Sequence, residues 1–93
     1  MFDKLNSIPP MTPALMRASK VAKKSCEYKN VTDYDLMEKI KSSLHNIQNS
    51  TPPMNESAVG ELLFLISALS LNKEIDPEEA LYKYTNQFID KYK

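Results

Sequence analysis

Apolar positions along this chain recur at helical spacing. Thr12 followed by Pro13 reads as an N-cap and first-turn pair, and no breaker follows, so the pattern predicts a first helix from Pro13 to about Tyr28. After a link at Asn30 and Val31, Thr32 can cap a second helix, with Asp35 three residues on as its capping-box partner. Leu36, Ile40, Leu44 and Ile47 then trace one face of that helix to about Gln48. The stretch 49–55, NSTPPMN, carries the Pro52-Pro53 pair and reads as the loop between two helical hairpins. A third helix, about Asn55 to Leu71, is apolar around most of its circumference through Val59, Leu62 to Ile66, Leu69 and Leu71, and should be covered on several sides. Asp76, Pro77 and Glu79 supply cap, first-turn proline and capping-box acid for a fourth helix. Its Leu81, Tyr84, Phe88 and Tyr92 form a stripe expected to be buried. The expectation is an all-α, four-helix bundle of two hairpins, with 1–93 a single domain and 1–11 a short N-terminal arm.

Composition narrows the function. Ninety-three residues with a single glycine leave little material for sheet turns and support one core, which a partner subunit would complete. Twelve basic and twelve acidic residues cancel, which argues against a nucleic-acid binder, whose affinity needs a basic excess. One cysteine, Cys26, and one histidine, His45, exclude an internal disulfide and the Cys/His zinc frameworks, and fit a reducing, cytoplasmic setting. The longest apolar run, Leu62 to Ile66, is far below the ~20 residues that cross a bilayer. Met1 to Ser7 lacks the apolar stretch of a signal peptide, so a soluble, unprocessed chain without a membrane partner is expected.

Candidate chemistry begins with a basic stripe. Arg17, Lys20 and Lys24 share one helical face, Lys23 lies beside them, and Lys29 follows. Such a face suits a phosphate-rich ligand, although solvated lysine stems covering apolar neighbours account for the same spacing. The acids converge poorly: Glu56 and Glu61 lie about 140° apart around one helix. Beside the Leu/Ile stripe of the second helix stand neutral Ser42, Ser43 and Asn46, with Glu38 a turn earlier. His45 has no acid or nucleophile at helical spacing, and Cys26 reads as a small buried residue. Met11, Met16, Met37 and Met54 read as core filling, and Tyr84, Phe88 and Tyr92 as packing, leaving only Tyr82 outside that explanation.

Two blocks carry a resemblance. PALMRASKVAKK (residues 13–24) resembles the first-helix segment of the MazG nucleotide pyrophosphohydrolases. VGELLFLISALSLNKEIDPEEALYKYTNQF (residues 59–88) resembles the segment around that family's ELGDLLF and IDPEEAL motifs. The resemblance implies an all-α domain, assembled as a dimer or tetramer, that hydrolyses nucleoside triphosphates to monophosphate and pyrophosphate. Magnesium is then held by a helix-two EExxE and a helix-three ExxD. Matching the family's KVEEELAEL run to KIKSSLHNI at residues 39–47 puts Ser42, Ser43 and Asn46 at the three glutamate places. The ExxD becomes Ala58 to Glu61, so Glu61 alone survives as a vestigial ligand. The basic positions Arg17, Lys20, Lys23 and Lys24 match the family, whereas a last-helix NRKFERRF pattern reads TNQFIDKY, with Gln87 for lysine and Lys91 for arginine.

Phosphoryl-type hydrolysis of this kind depends on the metal for positioning and charge stabilisation, and one glutamate does not hold that metal. The leading expectation is therefore a catalytically degenerate MazG-like domain with no cofactor. It would act by self-association and by binding a protein, nucleotide or phosphate ligand, with Arg17, Lys20, Lys23, Lys24 and Lys91 as phosphate-binding candidates. The competing expectation is an active, magnesium-dependent pyrophosphohydrolase whose carboxylates are relocated, for instance to Glu38, Glu56 and Glu61. A third is a regulatory partner that forms mixed dimers with a fully equipped relative.

Overall fold

Four helices follow one another in the computed structural model: α1 (Ala14–Lys24), α2 (Asp33–Asn49), α3 (Glu56–Asn72) and α4 (Pro77–Lys91). The structure describes residues 11–25, 27, 28, 30–49 and 56–92; Cys26, Lys29, Met54, the arm 1–10 and the loop residues 50–55 lie outside them. The described residues contain no strand, and the all-α, four-helix expectation holds.

The ends of these helices show which local signals acted. Thr32 caps α2 as expected, its hydroxyl accepting from Asp35 N–H at 3.2 Å. Asp76 caps α4, its carboxylate accepting from Glu78 and Glu79 N–H at 2.9 and 3.3 Å, with Pro77 at the first turn. At α1 the expected Thr12 cap is absent: the cap position falls on Pro13, which makes no side-chain bond to the helix. A free α1 amide is instead satisfied from far along the chain, Leu15 N–H donating to Glu78 Oε1 at 2.7 Å. That carboxylate serves α1 as a capping group would, and places a negative charge at the positive end of the helix. The other end of α1 stops at Lys24 rather than near Tyr28. Ser25 turns the chain there, its hydroxyl donating to Ala22 O and accepting from Tyr28 N–H, the kind of local bond by which serine competes with helix continuation. The turn after α3 has Glu74 in the left-handed region (φ 59°), with Glu74 N–H bonded to Leu71 O and Ile75 N–H to Ser70 O. This is a Schellman end with a glutamate where glycine is favoured.

α3 is the centre of the packing. α1 and α2 lie along it, whereas α4 meets α1 and α3 near its own first turn. The buried apolar cluster is Ala22, Leu36, Leu65 and Ala68, with Tyr28, Val31, Ile40, Phe64 and Leu69 against it. Small residues let α1 and α3 approach: Ser19 and Ser67 are buried and return their hydroxyls to Met16 O and Leu63 O of their own helices. On α2 the buried face is one step from the expected stripe. Ser43 is buried and Leu44 is half exposed, so the inward row runs Leu36, Ile40, Ser43, Ile47. Asn72 Nδ2 donating to Val31 O and a 2.9 Å Lys73–Asp33 ion pair fasten the start of α2 to the end of α3. The Lys73 hydrogen bond holds the Asp33 carboxyl below its ordinary pKa.

The largest departure concerns α4. Its Leu81, Tyr84, Phe88 and Tyr92 stripe, expected to be buried, is 53 to 70% exposed, and every residue from Glu79 to Tyr92 is exposed. Met11 and Met37 are exposed as well, so they do not fill a core.

Candidate functional site

Because α1 ends early, Glu27 and Tyr28 fall in a turn beside the α2–α3 pair. The Tyr28 ring packs on Phe64 with centroids 5.6 Å apart. Together with α2 and α3 this turn encloses an open cavity of about 440 Å³. Ser42, Ser43 and Asn46 of α2 face Glu61 and Leu65 of α3 across it, and Glu27, Tyr28, Glu38 and Lys39 complete the lining. Antiparallel pairing of α2 and α3 is what sets residues 42–46 against 61–65. Four of the sequence-derived positions, Ser42, Ser43, Asn46 and Glu61, are therefore brought together, whereas Ala58 and Glu56 are not part of the lining. Glu27, Tyr28 and Lys39 were not foreseen as site residues. The signal for the first two was Ser25, whose capacity to end a helix swings them over the cavity. Burial pushes the Tyr28 phenol above its ordinary pKa, and the carboxylates of Glu27 and Glu61 add to this, so it stays a neutral hydrogen-bonding group.

The basic residues lie elsewhere. Lys20 and Lys23 edge a second groove of about 450 Å³ between α1 and the α3–α4 turn, over an apolar floor of Met16, Leu71, Ile75 and Pro77. Glu74 and Asp76 stand on its other edge. A small cavity of about 110 Å³ shares Ser19, Lys23 and Leu71 with this groove and Tyr28 with the cavity on α2, so the two concavities adjoin through it. Arg17 and Lys24 are exposed on α1 outside both linings. Lys91 is fourteen residues beyond Pro77, about 21 Å along α4, and is not brought to the stripe. His45 is exposed, its ring Nε2 2.9 Å from Asn49 Nδ2.

Comparison with known proteins supplies a relative for this arrangement. MazG of Thermotoga maritima, a nucleoside triphosphate pyrophosphohydrolase/pyrophosphatase, is 30% identical over 94 residues, 98% of this chain and 37% of that protein. The chain is MazG-like. No family model and no solved structure matches it. The chain spans little more than a third of the length of that relative. In a MazG-like chain magnesium would be expected among acids of the second and third helices. The donors present do not fit it: the Ser42 and Ser43 hydroxyls and the Asn46 amide face Glu61, and although Glu27 and Glu38 also line the cavity, among the described residues no three acidic, imidazole or thiol groups lie close enough to hold one ion. No described helix is long and apolar enough to cross a membrane.

Proposed function

We propose that this chain is a catalytically degenerate MazG-like domain that acts by self-association and by binding a protein, nucleotide or phosphate ligand without turnover. The observation that carries the reading is the cavity between α2 and α3. It keeps the volume for a small ligand but presents Ser42, Ser43 and Asn46, neutral donors and acceptors, where the family resemblance places glutamates. Neutral oxygens bind magnesium weakly and do not offset its charge. Without the ion, the triphosphate meets Glu27, Glu38 and Glu61 across the cavity, three carboxylates against Lys39 of the lining and Lys41, which pairs with Glu38 at 3.4 Å. Phosphate groups are better served on the neighbouring groove, at Lys20 and Lys23, with Arg17 and Lys24 adding to the field of that face.

One observation favours a second reading. Glu27, Glu38 and Glu61 line the same cavity, and an active, magnesium-dependent pyrophosphohydrolase would draw these relocated carboxylates onto one ion. Pyrophosphate release from a panel of nucleoside triphosphates, with magnesium or manganese, separates the two. The degenerate reading expects no turnover by the native chain, nucleotide binding that Lys20→Ala/Lys23→Ala weakens, and turnover after Ser42→Glu/Ser43→Glu/Asn46→Glu/Ala58→Glu. Native turnover abolished by Glu61→Gln would overturn it.

A further inference from the structure

The cavity between α2 and α3 carries more negative charge than its own lining neutralises. Glu27, Glu38 and Glu61 line it against Lys39. Lys41 pairs with Glu38 at 3.4 Å, but neither Glu27 nor Glu61 takes part in an ion pair among the described residues. The carboxylates of both act on the Tyr28 phenol, so they meet at one part of the cavity. Acidity alone does not make a binding site, and Ser43 supplies a second observation. It lines the same cavity and is only 4% exposed. The hydroxyls of Ser19, Ser67 and Ser70 turn back to carbonyls of their own helices, whereas that of Ser43 has no hydrogen-bond partner among the described residues. No fully enclosed side-chain oxygen among those residues lacks a partner, so the Ser43 hydroxyl opens onto the cavity and not into the core. A polar group held this deep is normally bonded, which points to an occupant of the cavity.

We propose that this cavity binds an elongated aliphatic diamine or polyamine, its ammonium groups on the carboxylates and on the Ser43 hydroxyl. The proposal rests on the metal-free, non-catalytic reading of the same cavity and names a ligand class for it. Each primary ammonium carries three donors and no acceptor. The lining offers acceptors to match: carboxylate oxygens, the Ser42 and Ser43 hydroxyls and the Asn46 carbonyl oxygen. Charge-assisted bonds of this kind are roughly twice as strong as neutral ones. Shape decides between an organic cation and a metal ion. A metal needs its ligands within one coordination sphere, and no three acidic groups among the described residues gather so closely. The lining instead extends along α2 from Glu38 to Asn46, about 12 Å at the rise of a helix. A chain with an ammonium at either end serves separated carboxylates one at a time. Its methylenes pack on the buried Leu65, and the Tyr28 ring, stacked on Phe64, supplies an aromatic surface that attracts a cation. An anion fits poorly, because it meets the same carboxylates, and the groove edged by Lys20 and Lys23 serves it better.

Isothermal titration calorimetry on the full chain at low salt tests the ligand class, with putrescine and spermidine as probes and butanediol as their uncharged control. Both amines should bind and the diol should not. Glu61→Gln should loosen spermidine about tenfold or more, the loss of one charge-assisted bond. Ser43→Ala should loosen it about threefold, the loss of a neutral one. Glu56→Gln removes the same charge from α3 outside the lining and should leave the affinity nearly unchanged. Far-UV circular dichroism checks that each variant keeps its helices. A native chain that takes up neither amine, a diol that binds as well as putrescine, or Glu56→Gln loosening spermidine as much as Glu61→Gln overturns the proposal. An unchanged affinity in Ser43→Ala overturns the part given to the hydroxyl. Pyrophosphate release with magnesium, measured on the same samples, keeps the readings apart: turnover by a chain that binds amines sinks the degenerate reading alone, and an inert chain that binds none sinks the amine site alone.

Discussion

Two residues hold backbone positions that suit the other's side chain better. Gly60 sits in the exposed first half of α3, and a Cβ built there meets no atom within 4 Å. Glycine inside a helix costs roughly 0.5–1 kcal/mol relative to alanine, because the unfolded chain loses more freedom on folding. Glu74, by contrast, holds φ at 59°, where a Cβ crowds the backbone and glycine does not. The left-handed region costs a non-glycine residue about 1–2 kcal/mol, partly offset by the greater freedom glycine has when unfolded. Gly60→Ala and Glu74→Gly should each raise the unfolding free energy by roughly 0.5–1 kcal/mol, additively, since they lie at opposite ends of α3. Urea denaturation with unchanged m-value checks this; a destabilising Gly60→Ala would mean that this face of α3 is closely covered in the assembled protein.

At the scale of the helix, the bond from Leu15 N–H to Glu78 Oε1 joins two starts, those of α1 and α4. Glu78→Ala should cost about 1 kcal/mol, the usual loss for a missing capping group, and should accelerate amide exchange in the first turn of α1. Glu79→Ala, whose carboxylate pairs only with Lys83 at the surface among the described contacts, serves as the comparison and should leave α1 unchanged. This bond also marks the limit of what local sequence shows. Thr32 and Asp76 act as caps because the signal and the group it satisfies are within three residues of each other. The α1 cap comes from 63 residues away and has no local signature. The α2 stripe was nearly legible, but Leu44 and Ser43 differ by one step around the helix, and packing against α3 chose the small residue. At the candidate site, the α2 and α3 positions were legible through their match to the family's EExxE and ExxD motifs, and the regular α2–α3 pair sets them face to face. Glu27 and Tyr28 depend on where α1 stops and were not, and the separation of Lys91 from the basic stripe depends on the direction in which α4 leaves the turn.

For the whole molecule, the exposed face of α4 bears directly on stability. Among the described residues, the buried apolar cluster contains only two large side chains, Leu36 and Leu65, beside Ala22 and Ala68. The radius of gyration of the chain, 14.6 Å, exceeds the ~12 Å of a compact domain of this length. α4 has fifteen residues, a length at which isolated helices are marginal in water. Beyond its first turn little in the single chain holds it. If a second copy covers that helix, folding and association are linked, and the apparent stability must rise with protomer concentration. The melting temperature of the native chain should therefore increase steadily with each tenfold rise in concentration, while that of Phe88→Glu stays constant and lower. Hydrogen exchange should localise the difference: dilution should strip protection from α4 first and leave the α2–α3 pair, fastened by Asn72 and by the Lys73–Asp33 bridge, protected. A melting temperature independent of concentration, with α4 protected in the dilute monomer, would show that the helix is held within one chain and that its apolar face is not what completes the fold.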